Sequence, residues 1–180
     1  MLQKHVFNFL ILITTESFKT ISNIKKKIKN QKFISEDKRA RSASRLVAIQ
    51  VLYNYFLLDE NIEDIIAKYT LSFESDLNDL FYINNFDREY FQNLIDEFLK
   101  NDKQLEKEIN SIVKNDWDLG RMSIIDRAIL YIGLIEIKIM KKTSKKVIIS
   151  EYVEMAYQLG GESGFINYSL DALSKNQKIN

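Results

Sequence analysis

A chain of 180 residues, 46% of them hydrophobic, is long enough to fill one domain, and five glycines with no proline suit long helices and argue against a turn-rich β fold. The absence of cysteine excludes disulfides, thiolate metal sites and a cysteine nucleophile, and it suits an intracellular, cytoplasmic protein. Eleven Lys and Arg against three acids give +8 through Arg45, which leaves −7 of the net +1 for the remainder; such a basic arm points to an anionic partner, nucleic acid being the usual one, with a solvated polybasic tail as the alternative.

Residues 1–34 read as a basic N-terminal extension. The apolar run Val6–Ile13 is far too short to span a bilayer. Thr14, Thr15 and Glu16 after it do not form the small-residue site of a signal peptide. The Lys-rich stretch 25–32 reads as a flexible arm or a loose helix. The alternative for the whole extension is an upstream start codon. The folded domain is expected over 35–176, with a short tail at 177–180.

The first helix of the domain is predicted over Ser35–Leu58, with Ser35 as N-cap and Glu36 and Asp37 in the first turn. Lys38, Arg41 and Arg45 share one face at spacings of three and four, with Arg39 beside them. The same face then turns apolar at Ile49, Leu52 and Phe56. A basic rod therefore projects from a half that is buried. A short amphipathic helix follows at Asn61–Tyr69, while residues 70–86 carry signals of both kinds. Asp87 caps a helix to Leu99, and Asp102 caps another to Lys114. Trp117, the sole tryptophan, is expected half-buried in the link that follows.

The segment Met122–Met140 is apolar nearly all round, as a helix at the centre of a bundle is. Asp126, Arg127, Glu136 and Lys138 interrupt it, and charges at bilayer depth are costly enough to favour the soluble reading over a membrane span. Ser123 and Asp126 have the spacing of a capping box. Helices over Val147–Leu159 and Gly164–Leu173 complete the chain, with Gly160 and Gly161 ending the first of them. With no convincing strand and no repeat, the chain reads as an all-α bundle of six to seven helices.

Little in the sequence speaks for catalysis. The only histidine is His5, in the extension, which removes the usual general base and metal ligand. Gly161-Glu162-Ser163-Gly164 reads as a helix–helix turn and not a nucleophile elbow. The S-x-x-K spacing of Ser22–Lys25 lies in the extension. Carboxylate pairs such as Glu151/Glu154 and Asp102/Glu106 fall at helical spacing, the pattern of a solvated face. No enzyme activity, metal or cofactor is expected.

Four segments in order resemble one family: Arg39–Tyr53 (RARSASRLVAIQVLY), Asp126–Glu136 (DRAILYIGLIE), Val147–Gly160 (VIISEYVEMAYQLG) and Phe165–Asp171 (FINYSLD). Together they are similar to the NusB family of transcription antitermination factors, over about Glu36 to Lys175. The resemblance implies a helical fold of two small subdomains. It also implies binding of boxA-type single-stranded RNA during ribosomal RNA transcription. The partner it implies is the ribosomal protein that doubles as NusE, in an antitermination complex on RNA polymerase. Homodimers are open, since an empty partner surface can self-associate.

Carried over by position, Lys38, Arg39, Arg41 and Arg45 supply cations for the RNA backbone. Tyr53 either stacks a base or packs in the core, and Gln50 bonds a base edge or satisfies backbone groups. Phe165 and Asn167 open the family's F-x-N-G-x-L-D motif near the RNA side, with Phe165 alternatively an anchor for the last helix. Glu136 is expected to emerge at an edge and meet a cationic partner; the alternative is an internal Lys or Arg. Tyr131 stands where an arginine is common, removing a cation from the partner side but adding a stacking surface. Tyr168 and Ser150 replace the usual glycine and asparagine. Two readings compete: a helical interaction module with a basic tail, and the NusB-like domain that precedes some ribosomal RNA methyltransferases, which need a downstream cofactor domain.

Overall fold

The computed structural model describes residues 36–58, 60–67, 87–112, 122–140 and 143–176, and all regular structure among them is helical. The expectations for the extension, for residues 70–86 and for Trp117 lie outside the described residues. Helix α1 is Glu36–Leu57, a short α2 spans 62–67, α3 is Arg88–Asn110, α4 is Ile124–Ile139, α5 is Lys145–Leu159 and α6 is Ser163–Asn176. Asp37–Asn180 makes up one compact unit.

The core follows the apolar periodicity of the sequence. In α1, Val47, Ala48, Ile49, Val51 and Leu52 are fully buried. Asn61 Oδ1 accepts the Glu63 amide at the start of α2, and Ile62 and Ile65 turn inward. Helix α4 is enclosed on every side, with Ala128 through Ile137 all buried. It packs against α3, α5 and α6, and α6 also lies on α5. Gly133 permits the close approach of α6, because a Cβ there would stand 2.9 Å from Leu170 Cδ1.

Helix ends are set by side chains. Asp87 Oδ1 accepts the Tyr90 amide at 2.9 Å to open α3. Ser123 Oγ accepts the Asp126 amide at 3.1 Å to open α4. The second half of the expected capping box differs. The Asp126 carboxylate takes the Ser123 hydroxyl and, across the fold, the Glu162 amide at 2.8 Å, so it ties the start of α4 to the α5–α6 turn. Gly160 closes α5 in the left-handed region at φ 76°, where an L side chain is strained.

The break expected between Leu99 and Asp102 is there: α3 joins two helical segments across a kink at Asn101, whose backbone is non-helical (φ −131°, ψ 17°). Asn101 Nδ2 donates to the Glu97 carbonyl at 3.2 Å and its carboxylate at 2.8 Å, which bridges the distortion. Beyond it, Leu105 and Ile109 remain fully buried and hold the second half on the core.

Candidate nucleic-acid interface

The basic start of α1 is fixed to the body by main-chain and hydroxyl contacts. The Asp87 amide donates to the Ala40 carbonyl at 3.4 Å, and Ser44 Oγ donates to the Asp87 carbonyl at 2.7 Å. Lys38, Arg39 and Arg41 are exposed there. Arg41 Nε lies 3.9 Å from Asp87 Oδ2 with its guanidinium 5.7 Å from the Tyr90 ring centre, a loose arrangement that leaves nearly half of the side chain in solvent. Three of the four cations expected on this face are therefore on the surface.

Arg45 is not among them. It is 7% exposed and is committed to Glu136, which has no exposed surface. Arg45 Nε donates to Oε2 and Nη2 to Oε1, each at 2.7 Å, a two-pronged pairing across 91 residues of sequence. Tyr152 Oη adds a bond to Oε2 at 2.6 Å. Arg45 Nη1 reaches Glu151 Oε2 at 3.3 Å, which also accepts Ser42 Oγ at 3.1 Å. Tyr90 Oη accepts from Arg45 Nη2 at 3.4 Å. Burial alone would raise the Glu136 carboxyl, but the hydrogen bonds and charge of Arg45, with the Tyr152 hydroxyl, hold it below its ordinary range. Burial pushes the Tyr152 and Tyr90 phenols up, so both stay protonated.

The expectation that Glu136 emerges at an edge to meet a partner is thus corrected: an internal arginine satisfies it. Desolvating a lone carboxylate is prohibitive, and a bidentate guanidinium with one further donor is what compensates it. The sequence held a signal for this. Arg45 stands one turn before Ile49, where the basic face of α1 turns apolar, and Glu136 stands deep in an apolar helix. Tyr90, Tyr152 and Glu151 were missed, Glu151 because its helical spacing to Glu154 read as a solvated face.

Tyr131 is also corrected as a surface group. It is 2% exposed, with its ring 5.3 Å from Phe56 and 5.7 Å from Phe98, and so offers no stacking face to a partner. Arg127, one turn before it, stacks 4.2 Å from the Phe56 ring centre. Gln50 is half-buried and its Oε1 is enclosed with no protein partner, which turns the amide oxygen away from a base edge. Tyr53 is half-buried against the core, and burial raises its phenol. Phe165 packs half-buried on the core, whereas Asn167 is exposed and Tyr168 is 56% exposed. Among the described residues no cluster of three or more His, Cys, Asp or Glu is placed to hold a metal ion, and no helix is long and apolar enough to cross a membrane.

Comparison with known proteins finds the same pattern. The model of the NusB family matches residues 42–175. The transcription antitermination protein NusB of Sulfurovum sp. (strain NBC37-1) is 34% identical over 137 residues, covering 75% of this chain and 98% of its own. Among solved structures, T. maritima NusB aligns with a TM-score of 0.61 at 25% identity, covering 75% of this chain and 90% of that one. A structure of the antitermination factors NusB and NusE with double-stranded RNA aligns at a TM-score of 0.62 and 21% identity, covering 77% and 98%, and shows the likeness of fold.

Proposed function

This chain belongs to the NusB family, and we propose that it is a non-catalytic antitermination factor of the cytoplasm. In this reading it binds boxA-type single-stranded RNA of nascent ribosomal transcripts jointly with a NusE-type ribosomal protein, within a complex on RNA polymerase. The observation that carries this is the exposed cationic start of α1, Lys38, Arg39 and Arg41, fixed to the body through Asp87 and the buried Arg45–Glu136 pair. Phosphate recognition needs cations held in a fixed array, and readout of bases needs a strand whose edges and faces are free. Binding is sufficient for such a role; no proton transfer or cofactor is called for.

The test is equilibrium binding of the purified chain to a boxA-type strand, a scrambled strand and a duplex, with and without the ribosomal protein. Preference for the boxA strand, strengthened by the protein partner and lost in an Arg39→Ala/Arg41→Ala variant, is the expected result. Equal binding to both single strands with no effect of the partner would reduce the protein to a helical module with a basic tail.

A further inference from the structure

Glu151 is bonded at the point where the basic face of α1 meets the body. Its Oε2 accepts the Ser42 hydroxyl at 3.1 Å and Arg45 Nη1 at 3.3 Å, so two donors from neighbouring turns of α1 converge on one carboxylate oxygen. We propose that these two donors form a phosphate subsite of the RNA face, and that Glu151 is a built-in competitor for it, yielding to a backbone phosphate when the strand binds. This rests on the RNA-binding reading above and adds to it a further contact and the group that guards it.

The subsite continues the cationic array. Ser42 follows Arg41 in sequence and stands one turn after Lys38, on the same side of the helix, and both cations are exposed. The hydroxyl is also turned outward from its own helix. Ser44 Oγ donates to the Ala40 carbonyl four residues back, the usual bond of a mid-helix serine, whereas Ser42 Oγ reaches across to α5. That side of α5 is open: the Glu151 side chain is 41% exposed, and Val147, one turn before it on the same face, is 53% exposed.

The exchange asks little of the fold. Arg45 is held through Nε and Nη2 by Glu136, at 2.7 Å each, so Nη1 keeps its place when Glu151 leaves. The bonds to Glu151 are longer than these, and an ion pair with one partner so exposed is weak. A carboxylate with that access to water swings out and is solvated again. The phosphate that replaces it brings the same negative charge to the same two donors, and its other oxygens and neighbours meet Lys38 and Arg41.

A competitor and a brace predict opposite signs. Removing the charge of a residue that only braces Ser42 and Arg45 weakens RNA binding or leaves it alone; removing a competitor tightens it. The full chain is titrated with the boxA-type and scrambled strands at fixed salt. Glu151→Gln is expected to tighten binding about two- to fivefold, the worth of an exposed ion pair read as a ratio of affinities. The gain should be equal for both strands, because a phosphate contact reads no bases. Glu154→Gln, one turn along α5, measures what the loss of any nearby negative charge does, and its gain is expected to be smaller. In the Glu151→Gln chain, Ser42→Ala removes only a hydroxyl and suits a helix; it is expected to weaken binding about tenfold, as loss of a hydrogen bond to a charged group does. A gain in Glu151→Gln no larger than in Glu154→Gln, or no loss from Ser42→Ala in that chain, overturns the proposal while the unaltered chain still prefers the boxA strand. No binding by the unaltered chain overturns the RNA-binding reading and this with it. If thermal melting shows Glu151→Gln unfolded, Ser42→Ala in the unaltered chain decides: weaker binding of both strands supports the subsite and unchanged binding overturns it.

Discussion

Glu136 shows what a single residue can demand of the chain around it. A carboxylate without exposed surface is stable only where its charge is answered, and Arg45 answers it with two hydrogen bonds at 2.7 Å. Glu136→Ala strands the guanidinium in the interior, and the expected loss is about 3–5 kcal/mol in urea unfolding, far more than an exposed pair would show. The pH dependence has a definite sign. The folded carboxyl lies below its ordinary value of 4.5, so its contribution is fully present above that value and is lost as pH falls below it. Unfolding free energy measured against pH should therefore fall on the acid side less steeply in Glu136→Gln than in the unaltered chain. Both charges were legible in the sequence, as was the need for Glu136 to be satisfied. Their pairing was not, because it depends on how α1 crosses α4, which no local pattern encodes.

At the scale of elements, what the sequence discloses is what short-range chemistry controls. Ser123, Asp87 and Gly160 announce helix ends because capping is settled within a few residues. The break at Asn101 was legible for a related reason: Asp102 reads as a fresh helix start, and the burial of Leu105 and Ile109 then holds the second segment on the core. Asp87 joins capping to function. Asp87→Asn keeps a good cap acceptor but removes the carboxylate charge 3.9 Å from Arg41. Stability is expected to stay within about 0.5 kcal/mol, with tighter RNA binding at low salt as Arg41 loses its competitor. Asp87→Ala should instead cost about 1 kcal/mol through the lost cap. Gly161 is the other junction. A Cβ there would stand 2.5 Å from Asp126 Oδ1, the atom that holds the Glu162 amide. Gly161→Ala must push the carboxylate off that bond, and a loss of about 1–3 kcal/mol in thermal or urea unfolding is expected.

For the whole molecule the governing fact is the division of charge. Through residue 34 the chain carries seven lysines against Glu16, a charge of +6, so the remainder is −5 of the net +1. An acidic body that binds RNA cannot rely on its overall field. It must concentrate cations locally, as the start of α1 does with Lys38, Arg39 and Arg41, and the fold has to hold them there. The all-helical architecture and the central place of α4 were readable because an apolar helix of that length has nowhere to be but inside. Which cations face outward was not, since one face of α1 passes from solvent to core within two turns, and Arg45 falls just on the inner side. The charge division also sets apart the two parts of the chain in binding. The lysines of the extension can attract any phosphate backbone but read no bases, whereas sequence readout belongs to groups held by the folded body. A chain beginning at Ser35 is therefore expected to bind both the boxA-type and the scrambled strand more weakly, with shallower salt slopes for each. The ratio of the two affinities at a fixed salt concentration should be unchanged. Titration of both chains against both strands measures this directly, and a ratio that collapses to unity on removal of the extension would move the site of recognition out of the helical body.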